Sequence, residues 1–238
     1  LINMKKSKLL YIGMSRTEKI LGWLYMAVSL LILPQLLNWV NNQLADPIPE
    51  ATLNFVLYLT NFLFIAGIFH AFLRASLVAA WRDIWNFIQA VILGYVAYLA
   101  ASKVMDFLMS FLVPGFSNIN DAAIADLAKS NYILMLVGVV FLAPVTEEML
   151  YRGLIFRELL HTSKAAAYLV SMAAFAAIHV LGYIGSEDIG RLVLCFIQYL
   201  PAGLCLAWTY TKADNIAAPM VVHAIVNAEV RAVRLDTV

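Results

Sequence analysis

The sequence predicts an all-α fold: a polytopic transmembrane helical bundle of about seven helices with a polar intramembrane cavity. The first observation is composition, because 63% of the 238 residues are hydrophobic and only 13% are charged. A soluble domain of this length needs more polar surface. The second is the recurrence of apolar stretches about 20 residues long, the length that crosses a bilayer as a helix. The third is a set of ionisable residues inside the later stretches, which require a cavity.

Seven spanning helices are predicted, separated by loops that carry proline, glycine and charged residues. Each except the last reaches the required length. The longest loop, around 114–130, has room for a short amphipathic helix on the membrane surface, and RASLVAAWRD (74–83) is expected to be a loop. We expect one integral membrane domain, 1–238, whose motif-bearing core covers about 132–230. The predicted spans are roughly 20–40, 51–73, 85–113, 131–160, 165–183, 190–211 and 215–230.

The distribution of lysine and arginine predicts a multi-pass cell-membrane protein with a cytoplasmic N-terminus, because cytoplasmic loops are enriched in these residues. The basic start of the chain runs into an apolar stretch without an AxA-type cleavage site, so we expect an uncleaved first span. Four basic residues fall on the outer side: Lys129, Arg191, Arg231 and Arg234. Ten fall on the cytoplasmic side: Lys5, Lys6, Lys8, Arg16, Lys19, Arg74, Arg82, Arg157, Lys164 and Lys212.

The net charge and the two cysteines bear on binding partners and on a possible disulfide. A formal net charge of +1 gives no indication of a nucleic-acid partner, and the composition makes the lipid bilayer the expected one. Cys195 and Cys205 are separated by about 15 Å on one predicted helix, which is too far for a disulfide. We expect both to be core residues.

Ionisable side chains inside a membrane cost about 2.5–3.5 kcal/mol each on insertion scales, so each one needs an explanation. Lys103 and Asp106 are three residues apart on one helix and are expected to pair. Glu148 and Arg152 are four apart and can also form an ion pair. Glu147 is rotated by about 100° from Glu148 and has no partner on its own helix.

Polar residues on two further helices complete a pattern. Phe175 and His179 share a helix face one turn apart, as do His223 and Asn227. Singly, such residues ordinarily form hydrogen bonds between membrane helices. Together with Glu147 they indicate a wet polar pocket.

Such a pocket suits the attack of activated water on a carbonyl. A carboxylate can act as the general base, an imidazole can share the proton, and a second histidine with an amide can donate to the oxyanion. The same Glu147, His179 and His223 can instead hold zinc with water in the fourth position. The sequence has no HExxH, GxGD or GxSxG motif, which disfavours other protease classes. It also has no inverted repeat, which disfavours a transporter.

Three motifs resemble those of the CPBP family (CAAX proteases and bacteriocin-processing enzymes, also called Abi), which includes the type II CAAX prenyl endopeptidase. They are EExxxR from Glu147 to Arg152, FxxxH from Phe175 to His179, and HxxxN from His223 to Asn227. One departure is visible: the Thr-Gly that commonly follows the tyrosine is Thr-Lys-Ala-Asp at 211–214, so this turn is expected to be built differently.

The resemblance implies an intramembrane endopeptidase that cleaves a membrane-associated substrate, prenylated and CAAX-type or bacteriocin-like, near the cytoplasmic face. It implies that Glu147 activates water with help from His179, and that His223 and Asn227 stabilise the oxyanion. Supporting roles fall to Glu148, Arg152 and Phe175. The family has been described both as zinc-dependent and as glutamate-type, and we favour the second, without a cofactor. The alternative is a non-proteolytic immunity or scaffold protein of the same family.

Overall fold

The computed structural model describes residue 10 and residues 12–235, with side chains up to Glu229. Over this part the chain forms ten helices and no sheet. Lys5, Lys6, Lys8 and the side chains of Arg231 and Arg234, which entered the charge count, lie outside the described residues. The helices are α1 (Arg16–Leu31), α2 (Leu33–Asn42), α3 (Glu50–Ile68), α4 (His70–Arg82), α5 (Ile84–Leu112), α6 (Ile119–Ser130), α7 (Tyr132–Leu160), α8 (Lys164–Leu181), α9 (Ile189–Ala213) and α10 (Ala217–Leu235).

Five helices in the described part are long and apolar enough to cross a membrane: α3, α5, α7, α8 and α9. The first predicted span is broken at Ile32 into α1 and α2, which bend by 44° and count as a sixth span if taken together. The seventh predicted span corresponds to α10, which is helical but is not among these candidates. This helix carries the polar residues His223, Asn227 and Glu229. The chain is therefore a multi-pass helical membrane bundle.

The prediction of a loop at 74–83 is wrong, because this segment belongs to α4. The helix predicted over 51–73 ends at Ile68, and Phe69 breaks the helical geometry before α4 begins. RASLVAAW contains strong helix formers and neither glycine nor proline, so a helix forms here despite the charged residues. The short helix expected within 114–130 is confirmed as α6.

Contacts between helix ends define two opposite ends of the bundle. At the Arg157 end, the Arg157 guanidinium donates to the carbonyl of Leu10 and to the hydroxyl of Tyr210. Asn215 donates there to the carbonyl of Ser76 on α4. At the opposite end, which we call the α6 end, Asn118 at the start of α6 donates to Gln198 on α9. The chain alternates between these two ends.

Helix α9 lies at the centre and packs against α5 and α8. Glycines permit the close approach on both sides. A Cβ on Gly94 of α5 would lie 2.2 Å from Oγ1 of Thr209, and one on Gly203 would lie 2.9 Å from the Cα of Met172 on α8. The site described below depends on this packing, because α7, α8 and α9 all contribute to it.

Three local expectations can be compared with the structure. Lys103 and Asp106 do not form the expected ion pair; the Asp106 carboxylate accepts from Gln198 across the helix interface instead. Cys195 and Cys205 are buried free cysteines, as predicted. After Tyr210, α9 runs on to Ala213 and ends at Asp214 in the left-handed conformation (φ 51°); that this turn differs from the common Thr-Gly form stays a prediction.

Candidate active site

Two arms of one helical hairpin bring Glu147 and His179 to the same depth. Glu147 lies 13 residues before Leu160, where α7 ends, and His179 lies 15 residues after Lys164, where α8 begins. At 1.5 Å per residue both are about 20 Å from the Arg157 end. Glu147 also lies 15 residues after Tyr132, where α7 begins, so the site lies near mid-depth of the bundle, inside the apolar stretches.

The carboxylate of Glu147 faces both histidines. Its Oε2 lies 4.0 Å from Nε2 of His179 and 3.8 Å from Nε2 of His223. Three helices, α7, α8 and α10, thus contribute one group each, as the sequence predicted. The Oε2 atom is buried and has no hydrogen-bond partner among the described residues.

The other ring nitrogen of each histidine fixes what Nε2 presents to Glu147. Nδ1 of His179 lies 2.8 Å from the carbonyl of Phe175, and Nδ1 of His223 lies 2.9 Å from Oε1 of Glu148. Both partners are acceptors, so each Nδ1 carries a hydrogen. In a neutral imidazole the remaining Nε2 is then a lone pair. Two lone pairs and one carboxylate oxygen converge, and a water molecule can donate to two of these three acceptors.

Glu148 and Arg152 form a buried pair behind this group, and both side chains are fully excluded from solvent. Nη1 of Arg152 donates to Oε1 of Glu148 at 2.9 Å, and Nη2 donates to the carbonyl of Gly203 at 3.0 Å. The guanidinium carbon lies 4.4 Å from the centroid of the Phe175 ring. Oε2 of Glu148 and Nε of Arg152 are buried without a hydrogen-bond partner among the described residues. The pair holds His223 through Oε1 of Glu148.

Phe175 is the apolar centre of the site. Its ring contacts the imidazoles of His179 and His223, at centroid distances of 4.8 and 5.5 Å, and it is almost fully buried. It also packs edge-on against Tyr151. Phe175 therefore separates the Glu148–Arg152 pair from the cavity side of the two histidines.

Asn227 is held by an interruption in the hydrogen bonding of α7. Residues Val137–Leu142 adopt π-helical bonding, in which the N–H of Ala143 reaches the carbonyl of Gly138. The next such bond would join residue 144 to Val139, but Pro144 has no N–H. The amide of Asn227 donates to this free Val139 carbonyl at 2.8 Å. One amide hydrogen of Asn227 is used in this way, and a second remains.

A cavity of about 1130 Å³ adjoins these residues and is lined by Glu147, His179, His223 and Asn227. Its other walls come from the halves of α1–α2, α3 and α5 nearest the α6 end, and from α6 itself. Asn118, Asn120 and Asp121 of the α6 segment line it, as does Tyr199 of α9. Sequence reasoning missed these four residues, although the polar run SNIND at 117–121 marks the place.

The donor set Glu147, His179 and His223 has the chemistry of a zinc site but not its spacing. With metal–ligand bonds of about 2.0–2.2 Å, neighbouring ligands of a tetrahedral zinc are about 3.3–3.5 Å apart, and the two distances here are 3.8 and 4.0 Å. Among the described residues no group of three or more His, Cys, Asp or Glu is arranged to hold a metal ion. We therefore derive no step through zinc.

Comparison with known proteins agrees with the motifs. Residues 129–228 match the family model "Type II CAAX prenyl endopeptidase Rce1-like", and this range contains EExxxR, FxxxH and HxxxN. This segment is similar to that family. The resemblance predicted from the three motifs is thus confirmed, and all the residues of the candidate site except those of α6 and α9 are motif residues of that segment.

Two curated relatives, both from Lactococcus lactis subsp. lactis (strain IL1403), match the chain over a similar length. The UPF0177 protein YxdF is 27% identical over 111 residues, which cover 45% of this chain and 55% of the relative. The UPF0177 protein YbdI is 30% identical over 92 residues, which cover 39% of this chain and 42% of the relative. The match thus spans about half the length of these relatives. No solved structure matches the chain.

Proposed function

We propose that this chain is an intramembrane endopeptidase of the glutamate type, which hydrolyses a peptide bond of a membrane-associated substrate. The observation that supports this most directly is the convergence of Glu147, His179 and His223 beside a cavity. The three atoms that face one another, Oε2 and the two Nε2 atoms, are all hydrogen-bond acceptors in the neutral imidazole form. The match of residues 129–228 to the Rce1-like family model supports the same class of activity.

In this proposal the attacking water donates to Oε2 of Glu147 and to one imidazole Nε2. Glu147 accepts the proton as the water oxygen attacks the substrate carbonyl, and His179 holds the second O–H. Oε2 itself is buried, but the Glu147 side chain is 22% exposed and lines the cavity, and in this proposal the water reaches Oε2 from that side. The Glu148–Arg152 pair does not face the water and keeps His223 in place.

His223 and Asn227 are proposed to act on the charge that develops after attack. The second amide hydrogen of Asn227 is available to the oxyanion. His223 can donate from Nε2 only as an imidazolium, because its Nδ1–H already points at Glu148. We therefore assign to His223 the transfer of a proton: Nε2 takes the proton that Glu147 accepted from the water and gives it to the leaving amine nitrogen as the C–N bond breaks. Between these two steps His223 is an imidazolium, the form that can donate to the oxyanion.

The cavity has room for a peptide segment. Its volume of about 1130 Å³ exceeds the 300–1,000 Å³ or so that is usual for pockets holding drug-sized ligands. Apolar residues from the bend between α1 and α2, including Leu30, Leu31 and Pro34, line its far side. Such a surface suits a segment attached to the membrane, either prenylated and CAAX-type or bacteriocin-like.

The orientation of the chain bears on where the substrate enters. We keep the proposal that the N-terminus is cytoplasmic, which puts the Arg157 end on the cytoplasmic side. Cleavage near the cytoplasmic face is not favoured in this orientation, because the site lies near mid-depth and the cavity beside it extends to the α6 segment. We propose instead that the substrate enters from the α6 end, on the outer side.

The test uses the full chain purified into lipid nanodiscs and two fluorogenic peptides, one farnesylated with a CAAX-type end and one apolar and unmodified. We expect the wild type to cleave at least one peptide and Glu147→Gln to cleave neither. The cleavage should persist after a chelator has removed all metal, as checked by metal analysis of the treated protein. Cleavage that disappears with the metal and returns with zinc would overturn the glutamate-type reading. If neither peptide is cleaved and Glu147→Gln leaves the cellular phenotype unchanged, the immunity or scaffold alternative is favoured.

A further inference from the structure

An aromatic ring outside the three motifs packs on His179. The ring of Tyr199, on α9, stacks on the imidazole with a centroid distance of 4.1 Å and an interplanar angle of 25°. Phe175 contacts the same imidazole at 4.8 Å, but in a tilted arrangement. A parallel stack at this distance leaves the imidazole little freedom to rotate about its bond to Cβ.

The hydroxyl of Tyr199 is tied to the start of α6. It donates to Oδ1 of Asp121 at 2.6 Å and accepts from the amide of Asn120 at 3.0 Å. The first of these is a short, charge-assisted hydrogen bond, the stronger kind. Asn118 caps α6 with its side-chain oxygen and donates to Gln198, the neighbour of Tyr199. We call Asn118, Asn120 and Asp121 the α6 clamp.

The α6 clamp is itself anchored to the bundle by apolar packing. Ile119, between two of its members, is buried against Val180, Leu192 and Cys195 of α8 and α9. The Tyr199 ring is therefore held at its Cβ by α9 and at its hydroxyl by α6.

We propose that Tyr199 is a positioning residue for His179, and that the α6 clamp holds Tyr199 in the orientation that this requires. The Nδ1 bond to Phe175 O leaves the imidazole plane free to swing, and the Tyr199 stack removes that freedom. Nε2 then stays aimed at Oε2 of Glu147. The proposal rests on the proposed function for its effect on rate, but the geometric part is testable without any substrate.

The substrate-independent test is nitrogen NMR of the full chain, labelled with ¹⁵N-histidine in nanodiscs. The chain has four histidines, and the His179 signals are assigned by a His179→Gln variant. We expect the Nδ1–H tautomer of His179 in the wild type, and a partial loss of it in Tyr199→Phe, which keeps the ring but loses its bonds to the α6 clamp. In Tyr199→Leu we expect a mixture of tautomers. His179 signals in Tyr199→Leu that match the wild type would overturn the positioning role.

The kinetic test uses whichever peptide the wild type cleaves. Misplacement of a reacting group by about 1 Å can lower a rate by about 10²-fold, so we expect that loss in kcat for Tyr199→Leu, with KM changed by less than about threefold. For Tyr199→Phe and Asp121→Asn we expect kcat to fall by up to about tenfold, because each variant weakens the hydrogen bonds between Tyr199 and the α6 clamp without removing the ring. A kcat in Tyr199→Leu equal to the wild type would overturn the proposal.

A matched control separates positioning from general packing. Tyr168 on α8 also reaches α9, where its hydroxyl bonds to Thr211, but it lies toward the Arg157 end. Tyr168→Leu is expected to leave both kcat and the His179 tautomer unchanged. Equal losses in Tyr168→Leu and Tyr199→Leu would show that bundle packing alone is responsible. If no peptide is cleaved even by the wild type, the proposed function fails while the NMR result still decides the position of His179.

Discussion

Oε1 of Glu148 accepts a hydrogen bond from Nδ1 of His223 at 2.9 Å while it also accepts from the buried Arg152. This single contact divides the two adjacent glutamates into different roles. Glu148 is fully buried and paired, and it orients an imidazole. Glu147 is partly exposed and faces that imidazole from the opposite side through Nε2. Two predictions follow from this difference, one for activity and one for stability.

Glu147→Gln is expected to abolish activity without loss of stability. General acid–base groups contribute about 10²–10⁴-fold to rate, and peptide cleavage should fall by that factor. Stability should stay level or rise, because the new amide can donate to the two imidazole nitrogens that now face a carboxylate. Cleavage assays and thermal unfolding of the purified variant measure both. Normal cleavage by Glu147→Gln would remove Glu147 from the role of base.

Glu148→Gln is expected to destabilise the protein, because it leaves the Arg152 guanidinium buried without a countercharge. Removing one partner of a buried ion pair typically costs about 3–5 kcal/mol in the free energy of unfolding. Glu158→Gln is the control, since Glu158 pairs with Lys19 at the surface and both side chains are about one-third exposed. A surface pair contributes about 1 kcal/mol or less. Similar losses in the two variants would contradict the assignment of Glu148.

Gly203→Ala is expected to force α8 and α9 apart. The added methyl would meet the Met172 backbone, which cannot move like a side chain, at 2.9 Å. Overpacking of this kind costs about 1–3 kcal/mol. Gly67→Ala on α3 is the control, because no atom lies within 4 Å of its Cβ position, and alanine there should stabilise the helix by up to about 1 kcal/mol. Chemical unfolding of both variants checks the difference.

Sequence patterns identified the residues of the candidate site because each motif is short and helical. Spacing of four residues places Glu148 with Arg152 and Phe175 with His179 on common faces, and the structure keeps both contacts. The polar cavity followed from the cost of leaving these groups in lipid. Helix existence was equally visible, since apolar length alone identifies a span.

Other features depend on contacts that no local pattern encodes. Tyr199 meets Asp121 across 78 residues, so neither residue signals the other in the sequence. Lys103 and Asp106 have suitable spacing, but Asp106 bonds to Gln198 on another helix instead. The loop prediction at 74–83 failed because this helical segment begins with Arg74 and ends with Arg82 and Asp83, a pattern of charges that is also typical of a polar loop. Tertiary packing decides all three cases.

Cysteine labelling from outside intact cells tests the orientation of the bundle. Ser130→Cys lies at the α6 end and Thr162→Cys at the Arg157 end, and both positions are exposed. The native Cys195 and Cys205 are buried and should give little background. With the N-terminus inside, an impermeant maleimide should label Ser130→Cys directly and Thr162→Cys only after permeabilisation. The reverse result would put the cavity entrance on the cytoplasmic side and restore cytoplasmic cleavage.

Asn227→Ala tests whether the asparagine acts on the substrate or only on the helix. The Val139 carbonyl lacks a helical donor because of Pro144, and it bonds to Asn227 instead. Loss of that donor should cost about 1–3 kcal/mol in the free energy of unfolding. Pro144→Ala supplies an N–H in the π-helical register, so the double variant Pro144→Ala/Asn227→Ala should regain part of this stability. Unfolding of the two single variants and the double variant measures the coupling.

Cleavage by the same double variant separates the two roles of Asn227. If its second amide hydrogen stabilises the oxyanion, activity stays about 10²–10³-fold below the wild type, as for loss of an oxyanion donor, even where stability returns. Pro144→Ala alone is the control and should remain active, since Asn227 keeps its place on α10. Recovery of cleavage in the double variant would make Asn227 a structural residue. The Pro144→Ala change only gives the Val139 carbonyl a new donor and supplies none to the substrate.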